Sequence, residues 1–190
     1  MPKLMFQTTV NAPLEAVWAF HEDPQANLPL LAPPGQGVRV ESADLPVGVG
    51  SRIAISIDGP LGRRMRWVAE IVEHAPPHAV VFGMEARFVD KQVEGPFAQW
   101  RHEHEFEAVD SRTTRVVERI TYHLPLGPLG WLADWLYVRW RVRALMRHRA
   151  RAMPEVLGGS GFGVRGSGFG VQGSGFSGGM TKPETRSPNE

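Results

Sequence analysis

Residues 99–106 read QWRHEHEF, placing two histidines, two glutamates and an arginine between Trp100 and Phe106. In extended chain the two-residue side-chain period puts Trp100, His102, His104 and Phe106 on one face and Arg101, Glu103 and Glu105 on the other. The charged face belongs to solvent. Both imidazoles therefore point at whatever the aromatic face covers: a dry core, a ligand cavity or a metal ion. The following run, RVVERITYHL, supplies a partner. A hairpin turn centred on Ser111 pairs Phe106 with Val116, His104 with Glu118, His102 with Ile120 and Trp100 with Tyr122, all on one face. An inward carboxylate then stands opposite an inward imidazole, an arrangement expected to favour the charged form of both and raise the imidazole pKa.

Such a pair can satisfy itself as a buried hydrogen bond, orient a carbonyl or hydroxyl of a bound molecule, or carry protons as general acid and base. His104 and Glu118 are the candidates for the last role. His-x-His on a strand is also a metal-ligand spacing, with Glu118 as a third donor. No further histidine joins it in sequence. His123 has the parity opposite to Tyr122, and His21, His74 and His78 fall in expected helix or turn positions. No metal and no cofactor is assigned on this basis. Other chemistries are poorly represented: there is no cysteine, no G-x-S-x-G elbow around any serine, and GPLGRR and LPLGPLG lack the lysine and hydroxyl residue of a phosphate-binding loop. Nucleotide binding is rejected.

The elements that must position these residues are legible as patterns. KLMFQTTV alternates as a first strand, and NAPLEAVWAF follows as a short helix with Asn11 as a possible cap and Pro13 near its start. Proline-rich EDPQANLPLLAPPGQG leaves room for one more short helix. Six strands are then expected over 37–43, 51–57, 64–74, 79–89, 97–109 and 113–124, separated by DGPLG, HAPPH, VEGP and DSR. Short connections argue for an antiparallel meander, curved enough for one face to enclose something. Apolar residues gather on single faces: Ile53, Ile55 and Ile57; Trp67, Ala69 and Ile71; Phe82, Met84, Ala86 and Phe88. Trp131, Trp135, Val138, Val142, Leu145, Met146 and Met153 recur at three- and four-residue steps and predict a long amphipathic helix, kinked or ended at Pro154.

This order resembles the START-like, plant-allergen-like helix-grip superfamily, which includes polyketide cyclase/dehydrase and coenzyme Q-binding proteins. The residues that carry the resemblance are FQTTVNAPLEAVWAFHEDP, VEGPFAQWRHEHEF and RVVERITYHLPLGPLGWLAD. It is most similar to the small ligand-binding domain sometimes fused to epimerase-like proteins. The resemblance covers residue 4 to about 157 and implies an α+β fold. A curved antiparallel sheet of about seven strands would wrap around a long C-terminal helix, with two short helices after the first strand and an elongated apolar pocket between sheet and helix. The superfamily holds binders, cyclases and hydrolases alike.

The expected function is binding of a small hydrophobic molecule, lipid, polyketide or quinone-like. Its lining would be Trp67, Phe82, Met84, Trp100, His102, His104, Glu118, Tyr122 and Trp135, with Glu118, His104 and Tyr122 supplying polar orientation. A cyclase or dehydratase would use the same pocket. A third possibility is a membrane-surface or protein-interaction module, because Arg139, Arg143 and Arg147 lie on a tryptophan-rich basic helix. Nucleic acid is not expected, since Lys and Arg total 21 against 20 Asp and Glu. The sequence has no stretch near the roughly 20 apolar residues of a membrane span, and without cysteine it fits the cytoplasm. From Gly158 onward, GSGFGVR, GSGFGVQ and GSGFS recur in a glycine-rich run with too few apolar side chains to offset ordering. Two segments are therefore expected: a ligand-binding domain over 1–157 and a disordered tail over 158–190.

Overall fold

The computed structural model describes residues 2–59, 62–77 and 85–158; of Glu85 it describes only the backbone. Expectations for Phe82, Met84 and His78, and for the tail beyond Gly158, lie outside these residues. The first strand, β1 (Lys3–Val10), is followed by α1 (Leu14–His21) and α2 (Pro24–Leu30). Asn11 is not a cap: α1 begins after Pro13 without a side-chain cap, whereas the Asp23 carboxylate accepts from the Ala26 N–H at 3.0 Å to start α2.

The meander follows as β2 (Val38–Ala43), β3 (Arg52–Asp58), β4 (Arg64–Ala75), β5 (Glu85–Glu94), β6 (Gln99–Asp110) and β7 (Thr113–His123). All seven strands form one antiparallel sheet in the order β1-β7-β6-β5-β4-β3-β2. Register shifts at Val40/Ser42, Val68/Ala69, Ile71/Glu73 and Ala108/Asp110 mark bulges, which bend strands and strengthen twist. The β6–β7 register is the expected one, with Trp100 opposite Tyr122, His102 opposite Ile120, His104 opposite Glu118 and Phe106 opposite Val116. β5 differs from the expected 79–89. It runs on to Glu94, because Asp90 and Lys91 keep pairing with both neighbours, Gln92 and Glu94 with β4, and the turn falls only at residues 95–98.

The chain then enters α3 (Gly127–Ala133), a π-helical turn (Asp134–Val138) and α4 (Arg139–Gly158) without a break. Gly130 is required at the entry, where a Cβ would come within 2.1 Å of the Pro125 carbonyl oxygen. Pro154 does not end α4, which continues to Gly158. Proline frees the carbonyl four residues earlier, that of Ala150, and the Thr8 hydroxyl of β1 donates to this oxygen at 3.4 Å. Among the described residues no helix is long and apolar enough to cross a membrane.

The core divides in two. Val10, Leu14, Val17, Trp18, Phe20, Leu31, Phe106, Val116, Met153 and Leu157 form one apolar cluster; Trp100, Ile120, Tyr122, Val142 and Met146 form the other. Along β6, β7 and α4 alike, the residues between the two clusters are polar: His102 and His104, Glu118, and Arg149. Phe106 anchors the first cluster, with its ring 5.5 Å from Trp18 and 4.8 Å from His21. Phe106→Ala is therefore expected to cost about 3–5 kcal/mol in urea unfolding, whereas truncating exposed Met5 should stay within about 0.5 kcal/mol.

Candidate functional site

A cavity of about 480 Å³ lies between the sheet, α2 and α4, within the roughly 300–1,000 Å³ typical of small-molecule sites. Alternation along the strands builds its walls. Ile53, Ile55 and Ile57 of β3 and Met65, Trp67, Ala69 and Ile71 of β4 give an apolar side, and Leu28 and Leu31 close it from the α2 region. Val142, Leu145 and Met146 contribute from α4. Asp90, His102, His104, His21 and Arg149 form a polar cluster in the wall, and Asn27, Gln36, Asp58 and Arg141 are further polar residues of the lining.

The four expected residues Trp67, Trp100, His102 and His104 line this cavity. Three others do not. Glu118 is 2% exposed and sits behind the histidines, so it touches them rather than the cavity. Tyr122 is fully buried and its hydroxyl donates to Asp134 at 2.5 Å. Trp135 is 52% exposed and lies off the cavity. The π-helical turn explains the last correction, because its wider hydrogen-bond ring breaks the three- and four-residue spacing that would have carried Trp131 and Trp135 onto the face of Val138 and Val142. Tyr137 takes the wall position instead.

The polar group is assembled from three strands and two helices. Asp90 on β5 lies opposite His102 and diagonal to His104, with its Oδ2 3.7 Å from His102 Nδ1 and 3.4 Å from His104 Nε2. On the far side, Glu118 Oε1 lies 3.4 Å from His102 Nε2 and 3.5 Å from His104 Nδ1. The two rings stand between two carboxylates, their centroids 3.9 Å apart. Arg149 reaches down from α4 and donates to the same Glu118 Oε1 at 3.2 Å. Of the three donors facing this oxygen only the guanidinium is aligned, and His102 Nε2 and His104 Nδ1 are buried without a hydrogen-bond partner.

Burial and charge set the protonation of the group. Burial alone would raise the Glu118 carboxyl, but the Arg149 guanidinium together with the His102 ring outweighs it and holds the carboxyl well below the usual carboxylate range. Burial pushes Asp90 upward against the pull of His102 and Arg149. For His104 the expected rise is reversed. Burial, seconded by His102, lowers it well below the usual imidazole value, and the attraction of Glu118 is too weak to compensate. His21 is likewise lowered by burial to about 4. Its Nδ1 lies 2.7 Å from the Val17 carbonyl, which can only accept, so Nδ1 carries the proton and buried Nε2 keeps a lone pair with no partner.

Asp90, Arg149 and His21 were not among the sequence candidates. Two of them could have been found: Asp90 continues the inward alternation Ala86, Phe88, and Arg149 falls three residues after Met146 and four before Met153 on the buried stripe of α4. Because Arg149 offsets a buried carboxylate, Arg149→Met alone should cost about 3–5 kcal/mol. Arg149→Met combined with Glu118→Gln should recover most of that loss in a double-mutant cycle of urea midpoints.

Several solved structures share this fold. A START superfamily protein from Mycobacterium smegmatis superposes with a TM-score of 0.58 at 11% identity, covering 82% of this chain and 97% of that one. Norcoclaurine synthase from Thalictrum flavum, solved as a point mutant with a transition-state analogue, gives 0.56 at 13% identity, covering 82% and 95%. The ZhuI aromatase/cyclase from Streptomyces sp. R1128 gives 0.56 at 17% identity, covering 83% and 92%. At these identities the likeness concerns the fold. By sequence no curated protein matches the chain. The model of the family described as polyketide cyclase / dehydrase and lipid transport matches residues 10–146, through the strands, the histidine pair and the start of α4, and the chain belongs to that family.

Proposed function

We propose that the protein binds a small hydrophobic molecule of lipid, polyketide or quinone type in the cavity between sheet and α4. The observation that carries this reading is the cavity itself: about 480 Å³ with mostly apolar walls and a cluster of polar residues at Asp90, His102 and His104. Removing apolar ligand surface from water would contribute roughly 25 cal/mol per Å² before ordering costs. The polar group would orient a ligand oxygen, with His102, His104 and Asp90 at the wall. A cyclase or dehydratase would use the same residues rather than the pair His104 and Glu118. The neutral imidazole of His104 would accept a proton and Asp90, raised by burial, would donate one, while Glu118 is out of a ligand's reach.

The test is uptake of a lipophilic fluorescent probe, together with native mass spectrometry of protein isolated from its host. Wild-type protein is expected to carry or take up a lipophile, and Ile55→Trp, which adds bulk to the cavity wall, to reduce uptake at least tenfold. Wild-type protein that stays empty across a panel of lipids, quinones and aromatic polyketides would overturn the reading.

A second reading, contact with an anionic membrane surface, is favoured by one feature of the α3–α4 region. Leu126, Leu129, Trp131, Leu132, Trp135, Leu136, Tyr137 and Trp140 are all between 42% and 76% exposed. Such a run of tryptophan and leucine beside basic residues suits the interface of an anionic bilayer. Of the three arginines expected there, Arg139 is paired with Asp134 at 3.1 Å and Arg143 lies over the Trp140 ring at 5.7 Å. Arg147 is exposed, as is Arg141, which also lines the cavity beside Tyr137. In flotation assays the protein should rise with vesicles containing phosphatidylglycerol and not with pure phosphatidylcholine, and Trp131→Ala/Trp135→Ala should abolish the effect. Indifference to lipid charge, or association of two copies through this patch without vesicle binding, would sink the idea.

A further inference from the structure

We propose that Asp90, His102 and His104 form a binding site for a divalent first-row transition metal ion, with one coordination position open to the cavity. The three residues come from adjacent strands and offer ligand atoms that all lie within 4.8 Å of one another. Asp90 Oδ2 is 3.4 Å from His104 Nε2 and 3.7 Å from His102 Nδ1. A tetrahedral ion with bonds of about 2.0–2.1 Å holds its donors ~3.4 Å apart, which the two Asp90–imidazole separations approach, and the histidine nitrogens, within 4.8 Å of each other, would close the rest by turning the rings. The histidine pair alone lacks a third donor on its cavity side, and β5 supplies it.

The far side of the rings has the form that metal-ligating histidines require. Each imidazole presents its second nitrogen to Glu118 Oε1, at 3.4 and 3.5 Å. A carboxylate in that place fixes the tautomer that leaves the other nitrogen free to ligate, and raises its basicity. His102 Nε2 and His104 Nδ1 have no aligned partner, and a small rotation of the rings towards an ion would change their approach to Glu118. Charge points the same way. Arg149 offsets Glu118, whereas among the described residues no lysine or arginine pairs with Asp90 and only the two imidazoles lie within 4 Å of its carboxylate. A divalent cation would supply the missing counter-charge.

An independent observation comes from α1. His21 Nε2 is a buried lone pair without a partner, in the same cavity wall, on a ring 6.0 Å from that of His104. A water or hydroxyl held at the open position would give this nitrogen a donor. All three proposed ligands face the cavity, so that position would take a carbonyl, enolate or phenolic oxygen of a bound molecule. This last point rests on the cavity's being a ligand site; the metal site itself does not.

The experiment uses the full chain, dialysed against chelator and titrated with Co²⁺ or Zn²⁺ alone. Wild-type protein is expected to bind one equivalent of Co²⁺ with the visible d–d bands of a low-coordinate ion. Asp90→Asn should lose those bands and bind at least about tenfold more weakly. It keeps the side-chain shape and adds no charge, so its fold is expected to persist, which circular dichroism checks. His102→Gln should behave in the same way. Acetohydroxamate, a small oxygen ligand, should shift the wild-type bands by occupying the open position. Failure of wild-type protein to bind either ion, or binding unchanged in Asp90→Asn and His102→Gln, overturns the proposal; absence of a hydroxamate shift overturns the open position. Lipophile uptake by metal-free protein is scored separately, so that loss of one reading is told apart from loss of the other.

Discussion

The buried contact between Glu118 of β7 and Arg149 of α4 is the constraint on which the rest of the arrangement depends. A carboxylate 2% exposed inside a sheet cannot be left without a counter-charge, and the one aligned cation reaching it belongs to the terminal helix. Such pairs contribute little net stability, because desolvation consumes most of the Coulombic gain. What this one supplies is position. A shift of α4 along its axis would bring Met146 or Met153 over the carboxylate and send the guanidinium into one of the two apolar clusters. The Thr8 hydroxyl on the Ala150 carbonyl holds the same turn of helix to β1. Helix α4 is thereby fixed over the β1–β7 side, and the apolar faces of β3 and β4 are left to border the cavity.

Burial decides the chemistry of His104. Desolvation, with His102 beside it, outweighs the attraction of Glu118 and lowers the imidazole, and Arg149 on Oε1 adds a smaller push in the same direction. Two imidazoles backed by a committed carboxylate, with a second carboxyl at the cavity wall, form an environment suited to holding an oxygen-bearing ligand or an ion. Membership of a family that spans cyclases, dehydrases and lipid transport does not choose among these. The residues of this chain must do so.

How much of this could be read from the sequence follows from the range of the interactions. The β6–β7 register was legible because it is local: alternation and a short turn fix which side chains face each other, and His104 does stand opposite Glu118. The apolar faces of β3 and β4 were legible for the same reason. Asp90 was missed because Asp and Lys near a glycine-proline turn resemble the end of a strand, whereas pairing with β4 and β6 on both sides carries β5 through them. Arg149 was missed because an arginine among six on one helix looks like solvated surface, although its spacing from Met146 and Met153 put it on the buried stripe. The sign of the His104 shift was not legible because it is set first by burial, which strand alternation does not measure. Trp135 depended on a π-helical turn, for which its apolar spacing gave no warning.

Position along α4 relates the cavity to the exposed aromatic patch. Tyr137, Val138, Arg141, Val142, Leu145, Met146 and Arg149 all line the cavity, a span of thirteen residues, or about 18 Å over its twelve steps at 1.5 Å each. One end of that span lies among the exposed tryptophans and leucines that precede and follow Tyr137, and the other lies at the histidines. In the proposed function, an elongated molecule drawn from an apolar surface would enter beside Tyr137 and run along Leu145 and Met146. Its polar end would stop at Asp90, His102 and His104. The layer that locks helix to sheet would then also set the depth at which a ligand halts, because beyond it Met153 and Leu157 belong to a packed core. Ligand length and the placing of a terminal oxygen, more than bulk hydrophobicity, would be the properties such a cavity selects.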